Sequence, residues 1–301
     1  MVSWLAHGAK PARARGGPAL RRWILGALSA LALAAALALG AAWAHVEGVL
    51  VEARSPAEID ALLSPHDEVF RPDGPGPFPA AILFHGCGGL RDSLREWARE
   101  LRDAGLLVVA TDSLAGHGLD WRETCEGRKL LGAERAGDVW VSLARVRARD
   151  DVDPGRILLF GWSHGAWSVM ELFALGDGEL PPGLAAAPAA DPRDAAGLVL
   201  LYPYCGFAAG ARRTWNGAPP TLLLLAGQDT IVSAEACRVW AEGRAGVATH
   251  VYPGVDHGFD QGVVEPEWPS TWDGGAARDA RRRVLAFARE RVGLAAPAPA
   301  W

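Results

Sequence analysis

A short apolar run that leads into a serine between two glycines constrains the fold of this chain more than any other feature. Ile157–Phe160 combines β-branched and aromatic side chains, which predicts a buried strand. The run continues directly into Gly161-Trp162-Ser163-His164-Gly165. Glycine at both second neighbours of a serine is typical of a sharp strand-to-helix turn, because glycine lets the backbone pass close by. We therefore expect Ser163 Oγ to point into open space above a sheet.

Two later strand ends supply partners for this serine. The apolar run Thr221–Ala226 is followed by Asp229, and the predicted strand Thr249–Tyr252 is followed by a Pro-Gly turn and then His257. A serine hydroxyl needs a base to remove its proton, and that base needs an acid to orient it. The chain order serine, acid, histidine suits this kind of turn. We predict that Asp229 is the orienting acid and His257 the general base.

Other histidines and aspartates compete for these two roles. His164 adjoins the serine, but its side chain should leave the turn in another direction, which favours a pocket-lining or structural role. His85 is expected to support the neighbouring glycine-rich loop by hydrogen bonding. Asp256 is too close in sequence to the predicted base to orient it easily. Asp112 and Asp260 remain weaker candidates for the acid.

A glycine-rich turn follows another predicted strand. Pro79–Phe84 is apolar and precedes His85-Gly86-Cys87-Gly88-Gly89-Leu90. Such a turn can direct backbone N–H groups at an oxygen that gains negative charge during a reaction. We expect the N–H groups of Cys87 and His164 to form this oxyanion hole.

Together these motifs resemble the α/β-hydrolase superfamily, and within it the dienelactone hydrolase family, over roughly residues 60–292. The pieces that carry the resemblance are ILFHGCGGL (82–90), FGWSHG (160–165), LYPYCG (201–206), GQD (227–229) and YPGVDHGF (252–259). The resemblance places the family's nucleophile on Ser163, its acid on Asp229 and its base on His257. The enzyme that names the family uses cysteine as the nucleophile, whereas this chain has serine.

The resemblance implies a serine-dependent hydrolase that cleaves small-molecule carboxylic esters or lactones through an acyl-enzyme intermediate. Such a mechanism requires no metal and no organic cofactor, and the sequence has no CxxC or HExxH spacing that would indicate zinc. Two alternatives stay open. The same triad could serve a peptidase or an acyltransferase, or the chain could be a catalytically idle, exported binding module with a hydrolase fold.

The rest of the sequence alternates strand and helix patterns, which predicts an α/β fold with a mostly parallel central sheet flanked by helices on both faces, as in the α/β-hydrolase fold. Predicted strands are Ile82–Phe84, Leu106–Thr111, Ile157–Phe160, Leu198–Tyr202, Leu222–Ala226 and Thr249–Tyr252, with Gly48–Glu52 and Asp67–Arg71 as lead-in strands. Predicted helices are Asp92–Asp103, Glu134–Arg149, Ser163–Ala174, Ala234–Gly243 and Ala276–Arg291. In the connection 262–275, Trp268 and Trp272 either cover the pocket or pack on the sheet.

The N-terminus differs from the rest of the chain. Basic residues precede Trp23–Ala44, which has no charged side chain. Ala42-Trp43-Ala44 fits a small-x-small cleavage pattern, and the apolar run is also long enough to span a bilayer. Both interpretations predict export to the periplasm or the exterior. We favour a signal peptide over residues 1–44, cleaved after Ala44, over an uncleaved membrane anchor formed by residues 23–44. Residues 45–294 then form the catalytic domain and residues 295–301 a disordered tail.

Composition and cysteine count agree with an exported domain. Four cysteines allow two disulfides in an oxidising compartment. We favour Cys205–Cys237, because the strands before these residues should be neighbours in the sheet, with Cys87–Cys125 as the companion pair; four free thiols are the alternative. A net charge of −5, with no long basic run beyond the N-terminus, argues against nucleic acid as a partner.

Overall fold

The structure is a computed structural model that describes residues 18–262 and 272–294. Its contacts divide the chain into two compact units, Met1–His45 and Val46–Trp301. The described part of the first unit lies within a helix, α1 (Pro18–Val46). By length and composition, the segment Arg21–Val46 of this helix could cross a membrane.

Within the described residues of the second unit, seven strands form one sheet. They are β1 (Glu68–Phe70), β2 (Phe78–Phe84), β3 (Leu107–Thr111), β4 (Val152–Trp162), β5 (Gly197–Leu201), β6 (Thr221–Ala226) and β7 (Val247–Tyr252). Neighbouring strands follow the order β1-β3-β2-β4-β5-β6-β7. β1 runs antiparallel to β3, and every other neighbouring pair is parallel.

Helices connect the strands. They are α2 (Pro56–Leu63), α3 (Asp92–Asp103), α4 (Ser113–His117), α5 (Trp121–Cys125), α6 (Gly132–Arg147), α7 (His164–Leu172), α8 (Ala234–Ala241) and α9 (Gly274–Val292), with short 3₁₀ turns at Ser64–His66, Pro192–Asp194 and Gly210–Arg212. The sequence predictions for the α/β architecture and the mostly parallel sheet are confirmed.

The central strands are mainly apolar because both faces of the sheet are covered. Every residue of β2, β3, β5 and β6 is buried. Alternate side chains enter two separate apolar clusters, so that Ile82 packs in one cluster and its neighbour Leu83 in the other. Full burial of one such side chain contributes about 1.5–3 kcal/mol. This two-sided core fixes the strand register, and with it the positions of the loops at the carboxyl ends of the strands.

One predicted strand is wrong. Residues 47–50 form a turn in place of the expected strand Gly48–Glu52. Gly48 has φ +65°, and the N–H of Val51 donates to the Gly48 carbonyl at 3.1 Å. Val49 and Leu50 are exposed, so the apolar residues that suggested a strand have no sheet face on which to pack. The expected lead-in strand at Asp67–Arg71 is present as β1.

One of the two disulfides links neighbouring parts of the second unit. Cys205, after β5, is bonded to Cys237 on α8 with a Cα–Cα distance of 5.1 Å. β5 and β6 are adjacent in the sheet, and α8 follows β6. The expected Cys205–Cys237 pair rested on β5 and β6 being neighbours, as they are in the structure. The predicted tail 295–301 and Trp268 lie outside the described residues.

A buried carboxyl on α7 makes the stability of the domain depend on pH. Glu171 is 5% exposed and accepts hydrogen bonds from Trp167 Nε1 at 2.7 Å and from the Gly210 N–H at 2.8 Å. Burial disfavours its charged form more than these donors favour it, and it raises the pKa of Glu171 to about 7. In the unfolded chain the carboxyl ionises near its ordinary value of 4.5. Stability linked to Glu171 is therefore full below that value and falls as the pH rises towards 7.

We predict that Glu171→Gln relieves this loss. The wild type should lose about 2–3 kcal/mol of unfolding free energy from pH 5 to pH 8 that the variant does not lose. The reason is that the neutral amide has no ionised form to bury. Urea denaturation at the two pH values measures the difference. Glu235→Gln is the control, since Glu235 is exposed on α8 and Arg238 lowers its pKa. An equal response of both variants to pH would contradict the account.

Candidate active site

The sharp turn at Ser163 is held by close packing of the backbone around it. Ser163 has φ 50° and ψ −114°, a conformation that side-chain-bearing residues rarely adopt. A Cβ atom on Gly165 would lie 2.1 Å from the Phe84 carbonyl oxygen, and one on Gly161 would lie 2.4 Å from Ala166 Cα. Only glycine therefore lets α7 pack against β2 and β4 at this point. The turn leaves the Ser163 side chain partly exposed at the edge of the sheet.

Three side chains from different strand ends meet at this edge in one hydrogen-bonded line. His257 Nε2 lies 2.8 Å from Ser163 Oγ, and His257 Nδ1 lies 2.8 Å from Asp229 Oδ2. The side chains of Asp229 and His257 are only 1% and 2% exposed. A carboxylate can only accept a hydrogen bond, so the imidazole proton belongs on Nδ1 and the Nε2 lone pair faces the serine. The arrangement can move a proton away from the hydroxyl.

Asp229 is the carboxylate that the structure brings to the imidazole. Its second oxygen accepts the N–H groups of Ile231 at 2.9 Å and Val232 at 2.8 Å, which fixes the carboxylate plane. Asp256 instead accepts from the N–H of Thr230 at 2.7 Å and the N–H of His257 at 2.6 Å. Asp256 therefore holds the loop backbone, and Asp229 is the carboxylate that contacts the imidazole ring.

Asp260, an alternative acid in the sequence, occupies a different place beside the serine. Its carboxylate is fully buried and accepts hydrogen bonds from the indole N–H groups of Trp97 and Trp162, both at 2.8 Å, and from the Tyr202 hydroxyl at 2.6 Å. The Tyr202 ring lies 4.6 Å from the His257 ring, centroid to centroid. Burial, reinforced by the charge of Asp260, raises the pKa of Tyr202 well above its usual range, so that its hydroxyl stays a donor. Asp260 thus connects α3, β4 and the residue that follows β5 to the loop that carries the histidine.

The glycine-rich turn passes directly beside the serine. A Cβ atom on Gly86 would lie 3.5 Å from Ser163 Cβ. The N–H of Gly89 donates to the Gly86 carbonyl at 3.2 Å, and Cys87 is bonded to Cys125 of α5. Among the described residues, the structure gives neither the Cys87 N–H nor the His164 N–H a hydrogen-bond acceptor. Both groups remain available to an oxygen from outside the protein.

A cleft opens over these groups. It is lined by the His85–Gly89 turn, by Ser163 and His257, and by Trp97, Trp162 and Gln261. Trp272 is 50% exposed and is not part of this described lining. In residues 18–262 and 272–294, no group of three or more His, Cys, Asp or Glu side chains is placed to hold a metal ion.

The histidines near the serine have distinct environments. His164 is buried, and burial together with Arg135 and His85 holds its pKa well below the usual range, so the ring is neutral. His85 Nδ1 donates to the Gly86 carbonyl oxygen at 2.6 Å, as expected for a residue that supports the turn. Burial works against the charged form of Asp112, but His85, the Ala115 N–H and Arg135 outweigh it and lower the pKa of Asp112 to about 2. These groups lie below the turn and do not contact the serine hydroxyl.

The sequence pattern did not indicate the polar groups that surround the triad. Trp97, Trp162 and Gln261 line the cleft, and Arg135 lies beneath it. The indole and amide groups face partners that are distant in sequence, so no local motif identifies them.

One family of known proteins matches most of the chain. The sequence profile of the dienelactone hydrolase family matches residues 67–291. A comparison with curated proteins gave no significant match.

Solved structures share the fold at low sequence identity. A protein named as a dienelactone hydrolase from Klebsiella pneumoniae has a TM-score of 0.58 and 19% identity, covering 74% of this chain and 92% of its own. The propionate-bound esterase Est2 from Thermogutta terrifontis has a TM-score of 0.58 and 19% identity, covering 77% and 91%. The dienelactone hydrolase-like promiscuous phosphotriesterase P91, from metagenomic libraries, has a TM-score of 0.53 and 17% identity, covering 75% and 92%. At these identities the likeness shows the fold alone.

We predict that Gly165→Ala destabilises the domain by about 3 kcal/mol or more, because the new methyl group would collide with the backbone of β2. Gly254→Ala is the matched control. A Cβ atom at Gly254 meets no atom within 4 Å, so its change should stay within about 1 kcal/mol. Urea denaturation measures both. Equal effects of the two substitutions would show that the turn is not held by this contact.

Proposed function

Because the chain belongs to the dienelactone hydrolase family, we propose that it is a serine-dependent hydrolase that cleaves carboxylic esters or lactones through an acyl-enzyme intermediate. The proposal is carried by one observation, the line of hydrogen bonds at 2.8 Å from Asp229 through His257 to Ser163 Oγ. The enzyme that names the family uses cysteine at this position, and here a hydroxyl stands in the same turn with a base already in contact.

The first half of the reaction forms the acyl-enzyme. His257 Nε2 takes the proton of Ser163 as Oγ attacks the ester carbonyl carbon. The imidazolium that results is stabilised by the Asp229 carboxylate at Nδ1. His257 then gives the proton to the leaving alkoxide oxygen as the ester bond breaks. For a lactone, the leaving oxygen stays attached to the acyl group.

The negative charge on the carbonyl oxygen needs donors close to Ser163. The N–H groups of Cys87 and His164 are the proposed pair. Cys87 lines the cleft together with Ser163, His164 follows Ser163 in the chain, and neither N–H has an acceptor among the described residues. Donors of this kind are held in place before the reaction and cost no reorganisation during it. Loss of one such donor typically costs roughly 3–4 kcal/mol of transition-state stabilisation.

The second half of the reaction is hydrolysis of the acyl-enzyme. Water enters the position of the alcohol, His257 removes its proton, and the acid product leaves with Ser163 reprotonated. The intact contacts of the triad argue against a catalytically idle binding module, which would lack a member or its hydrogen bond. Est2, a structural neighbour, is an esterase that is seen with bound propionate and with bound butyrate. This supports small acyl esters as the first substrates to test.

We also propose that the protein is exported. Two disulfides, Cys87–Cys125 and Cys205–Cys237, fit an oxidising compartment. The apolar helix α1 fits either a signal peptide or a membrane anchor. In both cases the hydrolase domain would meet its ester outside the cytoplasm.

We predict that Ser163→Ala lowers turnover of p-nitrophenyl acetate and butyrate by at least about a thousandfold, because the nucleophile is lost. Ser233→Ala is the control, since Ser233 caps α8 through the Ala236 N–H and lies outside the triad. That control should cost about 1 kcal/mol of stability and leave turnover intact. Retained activity in Ser163→Ala would refute the assignment.

We predict that Asp229→Asn lowers kcat by about 10⁴-fold, because an amide in this place favours the wrong imidazole tautomer. Asp256→Asn changes the carboxylate next to His257 in sequence and should lower kcat by less than about tenfold. Asp256 accepts from the N–H groups of His257 and Thr230 and from the Thr230 hydroxyl, and Asp229 is the carboxylate on the imidazole ring. Steady-state kinetics on the same esters compares them. A larger effect at Asp256 would transfer the role of the acid to that residue.

A further inference from the structure

A fully buried arginine contacts the residue that follows the serine. Arg135 of α6 is 0% exposed. Its Nη1 donates to the His85 carbonyl oxygen at 2.8 Å and lies 3.3 Å from His164 Nδ1, and its Nε donates to Ser113 Oγ at 3.0 Å. The guanidinium therefore contacts two separate chain segments through Nη1, and Nε binds it to a third segment at Ser113.

The two segments are those that supply the proposed oxyanion donors. His85 begins the glycine-rich turn, two residues before Cys87, and His164 is itself the residue after the nucleophile. The neutral His164 ring can accept a hydrogen bond at Nδ1, so Arg135 Nη1 is its donor. Because the guanidinium is planar and rigid, it fixes the spacing between the two segments.

We propose that Arg135 is the positioning residue of the oxyanion hole, holding the Cys87 turn and the start of α7 at the separation that an oxyanion requires. The inference rests on the proposed hydrolase function. Arg135 is fully buried and is not among the described residues that line the cleft, so it acts through the backbone that it holds.

Arg135 also carries a buried positive charge with no close ion-pair partner among the described residues. Among the described residues no carboxylate lies within 4 Å of its guanidinium, and Nη2 has no hydrogen-bond partner. Two acids attract Arg135 from longer range: Asp112, which lies 3.3 Å from His85 Nε2, and Asp138, which lies 3.0 Å from His117 Nε2. Burying a cation without a paired anion is expensive. Asp112 and Asp138 offset part of this cost by attraction at longer range. The remaining positive field acts on negative charge that develops in the oxyanion hole, where the low dielectric strengthens it.

Another arginine on the same helix shows the ordinary arrangement. Arg145 donates to Asp60 and to Asp67, both at 2.6 Å, and its side chain is 17% exposed. Arg145 therefore serves as a matched control, a half-buried arginine of α6 whose charge is paired and which has no contact with either oxyanion segment.

The test compares Arg135→Met, Arg135→Lys and Arg145→Met in the full-length protein. For each variant, kcat and KM are measured on p-nitrophenyl butyrate per active site, with sites counted by complete titration with a fluorophosphonate. Melting temperature and affinity for a trifluoromethyl ketone, a mimic of the tetrahedral intermediate, are measured alongside. These readouts separate positioning from stability, because a merely structural residue changes the melting temperature and leaves kcat per folded site unchanged.

We expect Arg135→Met to lose about 10- to 100-fold in kcat and a similar factor in ketone affinity, with KM within about threefold. Arg135→Lys keeps the charge but lacks the rigid fork, so it should lose about 3- to 10-fold. Arg145→Met should melt at a lower temperature, with kcat within about twofold.

Wild-type kcat per titrated site in both Arg135 variants would overturn the inference while leaving the hydrolase intact. If Arg135→Met does not fold, Arg135→Lys decides the question alone, and a kcat within about twofold of wild type overturns it. A wild-type protein that neither hydrolyses esters nor reacts with the fluorophosphonate would instead refute the hydrolase function on which the inference depends.

Discussion

The backbone conformation of Ser163 is the constraint on which the rest of the site depends. A positive φ at a residue with a side chain costs on the order of 1–3 kcal/mol and persists only where the surroundings enforce it. Here α7 packs so closely against β2 and β4 at Gly161 and Gly165 that neither position has room for a methyl group. The burial of the four fully buried, mainly apolar strands of the sheet offsets this local cost. As a result, the serine hydroxyl projects from the edge of the sheet towards the cleft.

The same sheet explains why residues that are far apart in sequence meet. Ser163 and His257 are separated by 94 positions and Asp229 and His257 by 28, yet each follows a parallel strand whose carboxyl end lies at one edge. The loops differ in how they are fixed. Asp229 is held by two backbone N–H groups, and the His257 loop is anchored by Asp260 beneath it. The triad geometry is thus a property of the sheet together with buried polar contacts under each loop.

Much of this arrangement could be predicted from the sequence. The strand before Ser163, the order of the three triad residues and the helical spacing of Asp92–Asp103 are all local patterns with a physical basis. The Cys205–Cys237 pair was favoured because the strands before these residues should be neighbours, and Cys87–Cys125 was then the remaining pair. The expected strand at Gly48–Glu52 was wrong because apolar residues alone do not make a strand when no sheet edge is present to receive them. The roles of Asp260 and Arg135 could not be predicted, because each depends on partners that only the folded chain brings together, such as Trp97 for Asp260 and His85 for Arg135.

The most direct test of the central claim, that Ser163 is activated by His257, is to locate a covalent adduct. The protein is treated with a fluorophosphonate, digested, and its peptides are sequenced by mass spectrometry. The account predicts one adduct on the peptide that contains Gly161–Gly165, at Ser163, and a labelling rate reduced by orders of magnitude when His257 is replaced by glutamine. An adduct on another residue, or labelling at the wild-type rate without His257, would contradict it.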